Sequence, residues 1–344
     1  MNHKERFLAT IEQKPVDRPA CWLGMPVPSA YDNLFKYFQV NTLQELKLKI
    51  DTDIWEVDIP YNDPPNNHIA MAFNFSKGGQ SMETRTLTAP GFFEDYKDAI
   101  KDDVDAFDWP DPADHIDPDE CKRVVEAVPG DYAVMGVLWS AHFQDIYSAF
   151  GMEKAFINML KRPEIFNKVH NRIIDFYLKA NKIFYEATKG KVEAVLIGND
   201  FGGQKRLMLS PELISKFAMP GAKKIVNQAK SYGLKVIYHS CGSIFEAIPE
   251  LIKLGVHAIH PIQALAVDMV PKKLKEHFFK KVSFCGGVDA QELLVFGTPD
   301  QVKEKVIELK KIFPTGLIIS PSHEAILPDI PPENIEALFQ AVKN

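Results

Sequence analysis

The sequence predicts an α/β fold, a single (β/α)8 TIM-type barrel spanning residues 1–344 with an insertion at about 60–130. Three observations predict it. From about residue 130 onward, short apolar runs alternate with helical stretches, which is the pattern of a parallel sheet. The runs are apolar at consecutive positions, so both faces of each strand are buried. The chain of 344 residues is long enough for the ~250 residues typical of such a barrel plus one insertion. A doubly wound dinucleotide fold would place a glycine-rich turn after its first strand, and none is present.

The elements follow in order. Residues 4–13 read as a short helix that stops before Pro15 and Pro19. "ACWLGM" (20–25) reads as a buried strand, and 43–59 as a helix followed by the apolar run Ile54–Ile59. The stretch from Pro60 to about Thr88 has irregular Pro, Asn and Gly clusters, with "SMETRTLTA" as a hairpin strand. Residues 102–120 are acidic and broken by proline, as in a solvated segment leading into a helix. "YAVMGVLW" (132–139) is a strand, with helices over 144–189. "VEAVLIGND" (192–200) is the next strand. The helix over 210–233 is capped by Ser210, has Pro211 in its first turn, is kinked or restarted at Pro220 and is closed by Gly233. Strands at 235–240, 257–262, 281–286 and 316–321 alternate with helices at 243–254, 268–277, 298–312 and 331–342.

Composition excludes several classes of function. With 46% hydrophobic and 25% charged residues the chain is of ordinary globular make-up. A net charge of −6 is unlike the basic face of a nucleic-acid binder. The longest uncharged apolar stretch, Tyr132 to Gln144, falls short of the ~20 residues of a membrane span. The charged start "MNHKERFLATIEQKPVDRP" lacks a signal-peptide core, so a cytoplasmic protein is expected. Four scattered cysteines fit thiols or metal ligands better than a disulfide framework.

In a barrel the chemistry sits at the C-terminal strand ends. Five successive ends carry polar groups: Asn199-Asp200 with Gln204 beyond, His239-Ser240-Cys241, His260 with Gln263, Cys285-Gly286-Gly287 with Asp289, and Ser322-His323-Glu324. Residues i and i+2 of an extended chain face one side, so His239 and Cys241 converge on one point. That pair supplies two of the three protein ligands of a catalytic zinc site. His323 is the first candidate for the third, with Cys285 or Glu324 as substitutes. Asp200 suits substrate contact or acid–base work, and Gln204 a weaker contact. Gly286-Gly287 reads as a tight turn, Asp289 as a helix cap, and His257 and His260 as packed core residues. Trp22 and Tyr31 flank an uncharged loop that could line an apolar pocket.

The segments "KERFLATIEQKPVDRPACW" (4–22), "LMLSPELISKFAMPGAKKIV" (207–226), "GLKVIYHSCGSIFEAIPELIKLGVHAIHPIQ" (233–263), "FCGGVDAQELLVFGTPDQVKEKV" (284–306) and "SPSHEAILPDIPPENIEALFQAV" (320–342) resemble the uroporphyrinogen decarboxylase superfamily. The resemblance covers essentially the whole chain and implies a (β/α)8 barrel. One branch decarboxylates a tetrapyrrole and carries an arginine-rich segment after its first strand. Here that segment is "WLGMPVPSAY" (22–31), without a cation, and the chain has seven arginines in all. The turn bearing His323 looks like the histidine-containing turn of those decarboxylases. The other branch holds corrinoid-dependent methyltransferases, whose thiol-directed members bind zinc through His-x-Cys and a distant cysteine. His239 and Cys241 match the first two positions, while Ser322-His323 stands where the last cysteine would be.

The resemblance therefore implies a methyltransferase with a zinc-type site of His239, Cys241 and His323 or Glu324. Zinc would act as a Lewis acid, and the corrinoid would be carried by a partner protein. The methyl donor would be a methoxylated aromatic or similar small molecule, as in an O-demethylase system. Asp200 and His323 are the expected catalytic groups, and Trp22, Tyr31, Gln204 and Gln263 the expected substrate contacts. A uroporphyrinogen decarboxylase is the alternative, and a non-catalytic corrinoid- or tetrapyrrole-binding protein a second one. Neither nucleic acid nor membrane is expected as a partner, and dimerisation is left open.

Overall fold

The structure, a computed structural model, describes residues 1–62 and 101–344. The predicted hairpin strand "SMETRTLTA" lies outside the described residues. The strands are β1 (Met25–Pro26), β2 (Ile54–Asp58), β3 (Ala133–Trp139), β4 (Ala194–Gly198), β5 (Lys235–His239), β6 (Ala258–Ile262), β7 (Ser283–Val288), β8 (Leu317–Pro321) and β9 (Ala325–Ile326). β2 to β8 form one seven-stranded parallel sheet in sequential order, and β1 pairs with β9. Sequential parallel order is what right-handed helical crossovers produce, and the fold is the predicted TIM-type α/β architecture.

The eighth position is held by residues 20–22 and not by a full strand. Cys21 bridges Ile319 of β8, Ile319 N donates to Ala20 O (2.8 Å) and Trp22 N donates to Ile319 O (3.1 Å). On the other flank Asp53 N, just before β2, donates to Cys21 O (2.9 Å). The predicted strand over 20–25 is thus split into this bridging segment and β1.

Strand parity separates two cores. Ile54, Ala133, Met135, Val137, Ala194, Leu196, Ile237, Ala258, Cys285 and Ile318 share one apolar cluster inside the barrel, closed below by Phe7 and Ile11 of the first helix. Their neighbours Val134, Val195, Val236, Ile259, Phe284 and Ile319 belong to the outer cluster under the helices. Continuing the inward parity by two residues reaches Glu56, His239 and His260; from Leu196 it reaches Gly198 and then Asp200.

The helices mostly match expectation, with informative differences. The helix predicted over 210–233 starts at Pro211 under the Ser210 hydroxyl, passes a π-turn at Ile214–Ala218 and resumes at Met219–Ser231. Pro220 has no N–H to donate and sits in the first turn of the resumed helix, where none is needed. The helix expected over 243–254 forms only at Ile248–Leu254. A helix at Tyr31–Phe38 takes up the end of the first loop. Gly286 and Gly287 are not a turn: they lie inside β7 at φ +118° and +101°. A Cβ on Gly286 would stand 2.7 Å from Ile262 N, where β6 and β7 shift register. No helix among the described residues is long and apolar enough to cross a membrane.

Candidate metal centre

The centre is assembled where β4, β5, β6 and the β8–β9 turn end. His239 is the last residue of β5 and lies in register with Gly198 of β4 and His260 of β6. The chain then turns through Ser240 and Cys241. Cys241 N donates to Asp200 Oδ1 (2.8 Å), Gly242 N donates to Gln263 Oε1 (2.7 Å), and Phe201 N donates to Ser240 Oγ (3.0 Å). Gly242 has φ +82°, and its backbone packs against Gly202. The turn is therefore fixed from both neighbouring strand ends.

Three donors converge. His239 Nε2 lies 3.4 Å from Cys241 Sγ and 3.3 Å from Asp200 Oδ1, and the three ligand atoms all fall within 4.8 Å of one another. A tetrahedral zinc, with bonds of ~2.3 Å to sulfur and ~2.0–2.1 Å to nitrogen or oxygen, spaces its ligand atoms roughly 3.3–3.6 Å apart. The two separations from His239 Nε2 match that spacing, and the set mixes a soft thiol, an imidazole and a carboxylate, so the residues fit a zinc-type ion. A second set, His239, His260 and Glu324, shares the histidine. Glu324 Oε2 is 3.6 Å from both His239 Nδ1 and His323 Nδ1, and it is buried without a hydrogen-bond partner.

The electrostatics concentrate charge on this centre. Burial disfavours the charged form of His239, but Glu324, Cys241 and Asp200 outweigh it and hold its proton well above the ordinary imidazole range. Burial also opposes the Asp200 carboxylate, yet the His239 contact prevails and its pKa falls to about 2. His323 is raised chiefly by its contact with Cys241. Burial, with His239 and His323 nearby, pushes His260 well below its usual value, so it is neutral.

The expected site residues fall into two groups. His239, Cys241 and Asp200 come together. His323 borders them, its ring 6.5 Å from that of His239, but it is in neither three-donor set. Gln263 braces the Cys241 turn. Cys285 is fully buried beside Ser320 Oγ (3.5 Å), and burial pushes its thiol to about 12, which disfavours the thiolate a metal needs. Trp22 is buried, donates Nε1–H to Glu56 (3.2 Å) and stands edge-on to His260. Tyr31 stacks on Phe35. Gln204 is exposed, and its carbonyl accepts from Val267 N. Asp289 accepts from the amides of Glu292 and Leu293, as a cap does.

Sequence reading passed over two residues. Gln144 Nε2 donates to Asp200 Oδ2 (3.0 Å), and its Oε1 accepts from Asp200 N (3.1 Å). His260 meets His239 through their Nδ1 atoms at 2.9 Å. The inward parity of β6 was the available signal for His260; Gln144 left none.

This is a TIM-type barrel with a metal-capable centre at its mouth. The uroporphyrinogen decarboxylase (URO-D) family model matches residues 71–344, and the chain belongs to that family. It is 27% identical over 232 residues to a uroporphyrinogen decarboxylase of Prochlorococcus marinus, covering 64% of this chain and 61% of that one. It is 25% identical over 138 residues to the methylcobamide:CoM methyltransferase MtbA of Methanosarcina acetivorans, covering 40% and 38%. The chain thus spans about three-fifths of the length of the first of these relatives. A methyltransferase structure from Methanosarcina mazei shares the fold, with a TM-score of 0.70 at 16% identity over 100% of this chain and 98% of that one.

Proposed function

We propose that the protein is a corrinoid-dependent methyltransferase that moves a methyl group between a small-molecule donor and a corrinoid protein, as the O-demethylase component of such a system. The observation that carries this reading is the spacing of His239, Cys241 and Asp200, which suits a tetrahedral ion. A zinc ion held there supplies Lewis acidity toward an ether oxygen or a thiol. The chain's own groups do the rest. Gln144 fixes the Asp200 carboxylate, and His323, half exposed above Cys241, faces the incoming substrate. Exposed Met208, Leu265, Val267 and Leu327 lie on loops that follow strand ends, which suits a macromolecular partner carrying the corrinoid.

The stronger coverage of the decarboxylase relatives favours a second reading, uroporphyrinogen decarboxylation. A substrate with many carboxylates needs bidentate cations. Of the six arginines among the described residues, Arg6 and Arg18 are tied to Asp17 and Asp53, Arg123 pairs with Glu120 and Arg172 with Asp105, Arg162 flanks a helix start, and Arg206 alone lies on a loop at a strand end. The centre itself is lined by Asp200 and Glu324, which would repel such a substrate.

Metal content of anaerobically purified protein tests the proposal. We expect about one zinc per chain, lost in Cys241→Ser. Reduced protein that takes up no zinc would remove the metal chemistry and return the decarboxylase reading to the front, and a Cys241→Ser variant that keeps zinc would move the ion to the set of His239, His260 and Glu324.

A further inference from the structure

We propose that His260 is the positioning residue of this centre: its Nδ1 accepts the Nδ1–H of His239 and thereby leaves the His239 Nε2 lone pair aimed at the space between Asp200 and Cys241. The inference rests on the metal reading above and adds to it a residue that selects the ligand's tautomer.

The two Nδ1 atoms are 2.9 Å apart, a hydrogen-bond distance, so one of them donates and the other accepts. If His260 were the donor, a neutral His239 would carry its proton on Nε2. That proton would point at Cys241 Sγ and Asp200 Oδ1, at 3.4 and 3.3 Å, and no lone pair would face the ion. If His239 is the donor, Nε2 is free to ligate. Histidine ligands generally have their second nitrogen held in this way by an acceptor. Glu324 Oε2 cannot replace His260 in this role, because at 3.6 Å from His239 Nδ1 it is beyond hydrogen-bond range.

His260 is itself immobilised. It is 0% exposed on β6, in register opposite His239, and the Trp22 ring stands edge-on to it at 5.3 Å. Trp22 is anchored in turn by Glu56, which Lys47 Nζ meets at 2.7 Å. The ring reaching His239 is therefore backed by packed side chains, with its own Nε2 buried among them. The other arrangement, in which His260 is itself a ligand beside His239 and Glu324, makes the opposite prediction for an amide substitution.

The test compares wild type with His260→Asn, His260→Leu and His260→Gln. Asparagine places a carbonyl oxygen where Nδ1 stands, whereas leucine offers no acceptor and glutamine reaches the Nε2 position. Zinc affinity is read by chelator competition. The cobalt-substituted proteins are read by their thiolate-to-metal charge-transfer band, and folding by circular dichroism. We expect the leucine and glutamine variants to bind zinc 10–100-fold more weakly, and asparagine to stay within about threefold of wild type with its band intact. Wild-type affinity in whichever of the leucine and glutamine variants folds would overturn the inference while leaving the metal reading in place. So would an asparagine variant that loses as much as leucine, since His260 would then be a ligand. A wild-type protein without a Cys241-dependent cobalt band would overturn both readings.

Discussion

Cys241 and Cys285 carry the same thiol in opposite surroundings. Cys241 is partly accessible at a strand end beside His239, while Cys285 is sealed in the barrel interior with its pKa at about 12. Cys21 and Cys121 are likewise buried, and burial holds the Cys121 thiol at about 12. Iodoacetamide under native conditions is therefore expected to label Cys241 alone, and prior zinc loading to slow that labelling. Peptide mass spectrometry would show it, and label on Cys285 in folded protein would contradict the burial argument. A second residue-level expectation concerns Gln144, which grips Asp200 by both its side chain and its amide. Gln144→Ala should lower zinc affinity about tenfold, while costing about 1 kcal/mol of stability from the lost hydrogen bonds. Equal zinc affinity by chelator competition would show that Asp200 needs no bracing.

At the scale of elements, the turn after β5 is the part that most constrains the centre. Gly242 stands at φ +82°, and a Cβ there would lie 2.5 Å from the Gly202 carbonyl carbon. Gly242→Ala must therefore move backbone, either of its own turn or of the loop after β4. The left-handed conformation alone costs roughly 1–2 kcal/mol for a residue with a Cβ. We expect urea denaturation to show at least that loss, with zinc affinity falling because Cys241 and Asp200 lie on the two displaced segments. Undiminished values of both would mean that the turn is softer than its packing implies. The same strand ends show what sequence could reveal. His239, Cys241 and Asp200 were legible because period-two parity carries an apolar interior face outward to a polar end. His260 has the same parity, yet a lone histidine among apolar residues reads as core. Gln144 lies in the helix after β3, and its contact with Asp200 depends on how β3 and β4 pack, which no local pattern encodes. Gly286-Gly287 reads as a turn in any sequence; within the strand, the approach of β6 explains Gly286, and positive φ with the Leu309 side chain close by explains Gly287.

At the scale of the whole molecule, the barrel is closed by the weakest of its strands. Residues 20–22 join β2 to β8 through a few backbone bonds, and Asp53 secures them. Its carboxylate accepts from Cys21 N (2.9 Å), Arg6 Nη1 (2.6 Å) and Arg18 Nη1 (2.7 Å), tying the first helix, the bridging segment and the approach to β2 together. Asp53 is fully buried. Burial alone would raise its pKa, but His3, Arg18 and Arg6 outweigh burial and lower it from 3.8 to about 2. A depressed carboxylate stabilises the fold fully above its unfolded value, and the contribution disappears as pH falls through the folded one. The shift corresponds to about 2 kcal/mol, present above about pH 4 and gone below about pH 2. Asp53→Asn should cost more, about 3–5 kcal/mol, because it leaves two arginines facing a neutral group. It should also flatten the acid limb of stability against pH between those limits. Zinc affinity of the folded variant should be unchanged, since the metal centre sits at the opposite ends of the strands. Denaturation across that pH range, with zinc titration alongside, checks both expectations. An acid limb as steep as that of wild type would mean that other carboxylates clasp the seam, and a loss of zinc binding would mean that seam and centre are coupled through the barrel wall.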